Sequence, residues 1–306
     1  ETFAMLSAGK TEGVFQLEST GITAVCTGLK PKSIEDITAV IALYRPGPMD
    51  SIPRFLACSA QPEKISYKHP MLEPILKETY GIMIYQEQVM NIARALGGYT
   101  MGGADKLRKV MGKKMRDEIP KQRKMFMEGA VKNGIEEATA GAIFDQMEKF
   151  ASYGFNKSHA AAYSLISYQT AYLKAHYPVE FMCAVMSLDI TNTDKLLFFK
   201  DECKKLGFKV LKPDINHSGS DFVVEDGNIR YALGAVKGVG EANMRAIVAE
   251  REAHGPYKDI SDFIHRTDIK QINRRQLEQL IKAGAFDCLE KNRGRLFANV
   301  ETIMRH

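Results

Sequence analysis

The 306-residue chain contains no tryptophan and only five cysteines. Cys26, Cys58, Cys183, Cys203 and Cys288 are scattered, odd in number and never spaced as C-x-x-C. This excludes a disulfide framework and offers no cysteine zinc site, so the expectation is a cytoplasmic chain with reduced thiols. No apolar run approaches the ~20 residues that cross a bilayer. No signal-peptide pattern opens the chain, and no membrane partner is expected. Excess charge is small, at +5, which permits a polyanion partner without requiring one. The usual signatures of chemistry are missing as well. No Asp-x-Asp falls on a strand, and there is neither a Walker A loop nor an H-E-x-x-H run. Ser158 and His159 are sequence neighbours, which does not make a triad. Binding explains these absences better than catalysis by this chain's own residues.

What remains is enough for two domains with proper cores, since 45% of residues are hydrophobic and 26% charged. The chain begins at Glu1 rather than Met and its last run, RLFANVETIMRH, is helix-like to the end. Both ends lead us to expect a piece of a longer protein.

The densest feature is GGADKLRKVMGKKMRDEIPKQRK at 102–124. If one helix continues past Gly112, Lys106, Lys109, Lys113 and Arg116 share a side, and Ala104, Leu107 and Met111 face the core. Arg108 lies at the border, where partial burial holds its planar fork in direction. That placement suits a phosphate better than a solvated face does. The alternative is a charged surface helix.

Around this stretch the sequence reads as helices broken by turns. Ser33 caps a helix that stops at Arg45-Pro46-Gly47-Pro48, a stiff turn that fixes the angle of Tyr44 and Arg45 or simply ends the helix. Pro53, Pro62, Pro70 and Pro74 suggest loops through 53–80, and residues 81–85 a short strand. Gln86, Glu87 and Gln88 open a helix that ends at Gly97-Gly98; spacing alone makes them first-turn polar residues. Two more helices flank Asn133-Gly134. Asn156 or Ser158 caps a long helix closed by Pro178, with Lys157 and His159 at its N-terminal end beside free N–H groups. Its apolar side reads as Ala161, Leu165, Tyr168 and Tyr172, and a second side as Ala160, Ser164, Ser167 and Ala171.

After residues 213–220 the pattern changes. Residues 208–211 read as a strand, and Asp226-Gly227 as the turn of a β-hairpin. Lys237-Gly238-Val239-Gly240 then runs directly into a helix. Two glycines ahead of a helix N-terminus let backbone N–H groups approach a phosphate, with Lys237 adding charge. The third glycine of a dinucleotide fingerprint is missing. The helix-hairpin-helix pattern that remains points to sequence-independent binding of a DNA backbone. Residues 261–286 read as a second helical pair.

Several runs together resemble the bacterial DNA polymerase III alpha-subunit family, the C-family replicative polymerases. They are GVFQLES, ALYRPGPM, YGIMIYQEQVM, GGADKLRKVMGKK, YGFNKSHAAAYSLISYQTAYLKAHYPVEFM, GAVKGVGE and INRRQLEQLIKAGAFD, in family order and over nearly the whole chain. The resemblance implies a fingers region followed by a helix-hairpin-helix segment. It implies that palm aspartates holding two Mg²⁺ lie outside this chain. It also implies that basic residues of the fingers meet the triphosphate of the incoming dNTP. The family's adjacent basic pair falls on Arg108 and Lys109, where Arg-Arg is common. Lys113, Lys114, Asn156, Lys157, Ser158 and His159 sit on shared motifs. Lys237, Gly238, Val239 and Gly240 would hold primer-template DNA. Contacts to a sliding clamp and other replisome subunits would come from parts of the parent polypeptide outside this chain.

The expected fold is therefore mainly α with small β elements (α+β). An irregular helical fingers domain would occupy 1–215, and a β-hairpin with a helix-hairpin-helix domain 216–306. The expected function is part of a DNA-directed DNA polymerase. The chain would position dNTP and DNA, and would be inactive alone, with neither catalytic residues nor metal ligands of its own. The alternative is a standalone DNA-binding or scaffold module without a nucleotide site.

Overall fold

The computed structural model describes residues 1–267 and 272–304. Residues 268–271, inside the second helical pair, and 305–306, at the end of the last helix-like run, lie outside the described residues. The described chain is mainly α-helical with one small three-stranded sheet, as expected. It forms two compact units, Glu1–Ala175 and His176–His306.

The first unit holds α1 (Thr2–Ser7), α2 (Thr20–Leu29), α3 (Ile34–Leu43), α4 (Ile52–Ala60), α5 (Glu73–Leu76), α6 (Gln86–Gly97), α7 (Met101–Gly112), α8 (Ile119–Lys132), α9 (Glu137–Ala151) and α10 (Lys157–His176). Two apolar clusters organise it. In one, α6 to α9 pack around Val89, Leu96, Leu107, Phe126 and Phe144. In the other, α1 to α4 close over Leu17, Val40, Leu43 and Phe55, with Ala160 and Ala171 of α10. Local signals set the ends. The Ser33 hydroxyl accepts the N–H of Asp36 at 3.2 Å, and Gly98 ends α6 at φ 67°.

Three expectations need correction here. The proline-rich 53–80 segment is not mostly loop. Pro53 sits in the first turn of α4, where its missing N–H costs nothing. Residues 81–85 form no strand; they are a buried segment joined to the chain by a single parallel bridge, Tyr85 with Phe155. The helix through 102–124 does not continue. α7 stops at Gly112, and Lys114 turns left-handed at φ 52°. The N–H groups of Lys114 and Met115 reach the carbonyls of Met111 and Val110, at 3.1 and 3.0 Å. This is a Schellman close with lysine where glycine is usual. Lys113 and Arg116 therefore leave the side shared by Lys106 and Lys109. In α10 the side of small residues is the packed one. Ala160, Ser164, Ser167 and Ala171 are its buried stripe, while Leu165, Ile166 and Leu173 are exposed. The small residues let α10 approach α3 closely enough for Thr38 and Ser164 hydroxyls to bond at 2.7 Å.

The second unit contains α11 (Pro178–Leu188), α12 (Thr193–Leu206), β1 (Val210–Leu211), β2 (Val223–Glu225), β3 (Asn228–Arg230), α13 (Glu241–His254), α14 (Ile260–Arg266), α15 (Arg274–Ala283), α16 (Arg293–Ala298) and α17 (Val300–Ile303). The hairpin forms where Asp226-Gly227 predicts it, with both residues at positive φ and Val224 opposite Ile229. β1 adds in parallel to β3, giving the order β1-β3-β2. Helices α11 and α12 pack on this sheet through Met182, Met186, Phe199 and Phe222. The compact units accordingly divide at 175/176, ahead of the 215/216 border read from the sequence. α13 to α17 surround a second cluster with Val239, Ile247, Tyr257, Leu280 and Phe286 at its centre.

Candidate nucleotide and nucleic-acid interface

The N-terminal turn of α6 is the hub of the first unit. Gln88 is buried and folds back over its own helix start. Its Oε1 accepts the N–H groups of Ile84 and Tyr85 at 2.8 and 3.0 Å, and its amide donates to the Thr79 hydroxyl at 2.8 Å. Gln86 donates from its own N–H to the Phe155 carbonyl at 2.8 Å and from its side chain to the Gly154 carbonyl at 3.0 Å. The two oxygens of Glu87 accept the backbone N–H of Lys157 at 3.1 and 3.0 Å. Arg45 reaches the same loop, donating to the Ala42 carbonyl at 2.9 Å and to the carbonyl of Tyr153, with its guanidinium 4.4 Å from the Phe155 ring centre. The Pro-Gly-Pro turn thus fixes Arg45 as a strut for residues 153–155. The first-turn reading of the Gln-Glu-Gln trio was too weak, because spacing within α6 carries no sign of a partner some seventy positions away.

Arg108 meets the hub from α7. Its Nη1 donates to Gln86 Oε1 at 3.2 Å, while Nε and Nη2 donate to Asp105 Oδ1 at 3.1 and 2.8 Å. All three guanidinium nitrogens are thus engaged, while the side chain stays 26% exposed. Lys109 pairs with the other oxygen of Asp105 at 2.7 Å. Hydrogen bonds from Lys109 and Arg108 hold the Asp105 carboxyl below its ordinary range. A carboxylate shared by an arginine and a lysine occupies the kind of position a phosphate takes. Lys113 and Lys114 follow on the exposed Schellman turn and make no ion pair among the described residues.

The structure brings both Arg108 and Lys157 to the first turn of α6, through Gln86 and Glu87. Lys157 is committed to carboxylates: its Nζ bonds both oxygens of Glu78 at 2.8 and 2.7 Å. The start of α10, read as a ready anion site, already receives the Glu87 carboxylate. Asn156 caps the helix by accepting the His159 N–H at 2.8 Å. Ser158 is exposed, and the His159 ring lies 4.4 Å from that of Tyr163. An open groove of about 750 Å³ runs beside Glu78, Glu87, Asn91, Arg94 and Lys157.

In the second unit, Gly238 and Gly240 hold φ 83° and 86°, and the Val239 N–H closes a turn on the Val236 carbonyl at 3.0 Å. Only glycine tolerates the Gly240 pair of φ 86° and ψ 148°. Val239 points inward at 2% exposure, so it anchors the hairpin rather than lining its outer face. Gln276 of α15 latches the turn. Its amide donates to the Val239 carbonyl, and its oxygen accepts from Asn243 at 3.1 Å. Lys237 and Gly238 remain exposed at the tip, with Arg275 and Gln279 flanking Gly238.

Among the described residues, no three or more His, Cys, Asp or Glu side chains converge as a metal-holding group. No helix is long and apolar enough to cross a membrane among those residues.

The class these features define is a helical domain with clustered cations on a carboxylate-braced frame, followed by a helix-hairpin-helix module. Residues 1–134 match the model described as the bacterial DNA polymerase III alpha subunit finger domain, and residues 207–296 match the helix-hairpin-helix motif. A DNA polymerase III subunit alpha from Caulobacter vibrioides is 50% identical over 306 residues, covering 100% of this chain and 27% of the relative. Those from Thermus aquaticus and Neisseria meningitidis serogroup B are 51% and 52% identical, covering 100% and 96% of this chain and 25% and 26% of the relatives. The chain belongs to the DNA polymerase III alpha-subunit family, and it spans about a quarter of the length of the curated relatives it matches.

Proposed function

We propose that the chain is the part of a cytoplasmic replicative DNA polymerase that positions the incoming dNTP triphosphate and holds primer-template DNA. The observation that carries this reading is the partly exposed Arg108 fork, braced by Gln86 and by an Asp105 carboxylate that Lys109 shares. The reaction assigned to the parent is attack of the primer 3′-hydroxyl on the α-phosphate, with pyrophosphate leaving. This chain's residues neutralise the developing triphosphate charge and orient the nucleotide. Arg108 and Lys109 are the primary grip. Lys113, Lys114, Ser158 and His159 are exposed around the same unit for weaker contacts. Asn156 and Lys157 act by shaping the start of α10. The parent's Mg²⁺ ions are assigned to palm aspartates outside this chain. The described residues offer them no group of three or more converging His, Cys, Asp or Glu side chains.

DNA holding rests on the glycine hairpin, where Lys237 and the N–H groups of Gly238 and Gly240 face outward from a turn anchored by Val239. Clamp and replisome contacts belong to the rest of the parent.

The test is steady-state primer extension by the full-length subunit. Arg108→Ala should raise the dNTP KM or lower kcat by about tenfold or more, the scale of a lost charge-assisted contact of ~1.5–3 kcal/mol. An unchanged rate at low dNTP would remove Arg108 from the site. The 306-residue chain alone should extend no primer; extension by it would refute the placement of the catalytic carboxylates elsewhere. The standalone-module alternative predicts duplex binding with no nucleotide dependence anywhere in this chain.

A further inference from the structure

We infer that Gln86 is a positioning residue for the nucleotide grip, setting the direction of the Arg108 fork from the loop that begins α10. The inference rests on the reading of Arg108 as a triphosphate contact. Among the described residues, Gln86 is the side chain that bonds both Arg108 and the loop before α10. Its oxygen accepts Arg108 Nη1 at 3.2 Å, and its amide donates to the Gly154 carbonyl at 3.0 Å. An amide side chain has one acceptor end and one donor end, so each bond fixes the orientation of the other. The backbone of Gln86 is pinned as well, by its N–H to the Phe155 carbonyl at 2.8 Å. Gly154 lies close against Gln86, since a Cβ there would meet Gln86 Cγ at 3.0 Å and the Phe150 ring at 3.1 Å.

The geometry divides labour around the guanidinium. Asp105 holds the Nε–Nη2 edge from within α7 and moves with it. Gln86 holds Nη1 from a different helix, so it alone ties the fork to the frame outside α7. A phosphate that replaces Asp105 on the fork would meet a guanidinium already aimed by Gln86. A planar donor fork loses most of its advantage when its plane is free to rotate. Without Gln86, the charge remains and its direction does not.

The experiment is dNTP-titrated primer extension by the full-length subunit carrying Gln86→Ala, Gln86→Glu, Arg108→Ala or Gln86→Ala/Arg108→Ala, with folding checked by urea midpoint. Gln86→Ala should raise the dNTP KM about five- to tenfold, the size of one ordinary net hydrogen bond because the Arg108 charge itself stays, and leave the KM for primer-template unchanged. The double variant should be no worse than Arg108→Ala, because the two residues act as one unit. Gln86→Glu keeps an acceptor for Arg108 but sets a carboxylate against the Gly154 carbonyl, so the tie to the loop is lost and the dNTP KM should rise as for Gln86→Ala. A dNTP KM near wild type in Gln86→Glu would show that the bond to Gly154 directs nothing and would refute the role. If Arg108→Ala raises the KM while Gln86→Ala does not, or the two effects multiply, the positioning role is refuted and the nucleotide reading stands. If Arg108→Ala leaves the KM unchanged, the nucleotide reading fails and the positioning role with it. Should Gln86→Ala unfold, Gln86→Glu carries the test: a dNTP KM raised about fivefold or more, with no further rise when it is combined with Arg108→Ala, supports the role, and a KM near wild type refutes it.

Discussion

The crossing of α6 and α8 permits a quantitative test of the frame that carries the site. Gly129 of α8 lies against Gly97 at the end of α6. A Cβ on Gly129 would stand 2.0 Å from the Gly97 carbonyl oxygen and 2.7 Å from its carbon. Ordinary contact begins near 3.4 Å, so the helices must separate by about 1.4 Å. Backbone cannot swing aside as a side chain can, which puts Gly129→Ala at the upper end of the overpacking range, ~3 kcal/mol. Alanine's better helix propensity returns about 1 kcal/mol. The net loss is about 2 kcal/mol, or roughly 4–8 °C in Tm for a unit of this size. Gly141 of α9 is the control. A Cβ there meets only the ends of Arg123 and Met127, at 3.6 and 3.9 Å. Gly141→Ala should stabilise by about 0.5–1 kcal/mol. Urea and thermal unfolding of the chain measure both. If Gly129→Ala stabilises as much as Gly141→Ala, α6 and α8 do not cross at these glycines.

Other outcomes follow from the same structure. Lys114→Gly should stabilise the chain by about 1 kcal/mol, since glycine accepts the left-handed C-terminal turn without steric cost, measured by urea midpoint. The same change should weaken dNTP or DNA binding in the full-length subunit if the lysine is kept for its charge. Asp287 is bonded by Arg293 at 2.7 and 2.6 Å and by Lys212 at 2.7 Å, and Arg293 leads in lowering its pKa from 3.8 to about 2. A depressed carboxylate stabilises above its unfolded pKa, and that contribution is lost as pH falls from about 4 through 2. Asp287→Asn should flatten the acid limb of the unfolding curve there, and an unchanged limb would refute the assignment. Lys237→Ala should lower the slope of log Kobs against log salt for duplex binding by about 0.9, one phosphate contact; an unchanged slope would take Lys237 off the backbone.

Much of the fold was legible because its signals are local. The Ser33 cap, the Gly97-Gly98 stop and the Asp226-Gly227 hairpin each act within a few residues. Helix continuity past Gly112 was misjudged because lysine rarely takes the left-handed close that Lys114 adopts. The sequence showed two sides of α10 without saying which one packs, because large apolar residues normally mark the buried side. Here close approach to α3 requires small ones, and Thr38 to Ser164 is the evidence. The site was legible as residue types and not as an arrangement. Arg108 stood out by its border position, while its braces at Asp105 and Gln86 depend on how α6 meets α7. Glu87 and Glu78, which engage Lys157, carry no sign of that role in sequence.

The central claim is that the braced Arg108 fork meets the triphosphate of the incoming nucleotide. The most direct measurement is equilibrium binding of the correct dNTP to the full-length subunit on a dideoxy-terminated primer-template, wild type beside Arg108→Ala. The account predicts dNTP affinity weakened about tenfold or more, with primer-template affinity unchanged. Equal dNTP affinity, or a loss confined to DNA, would contradict it.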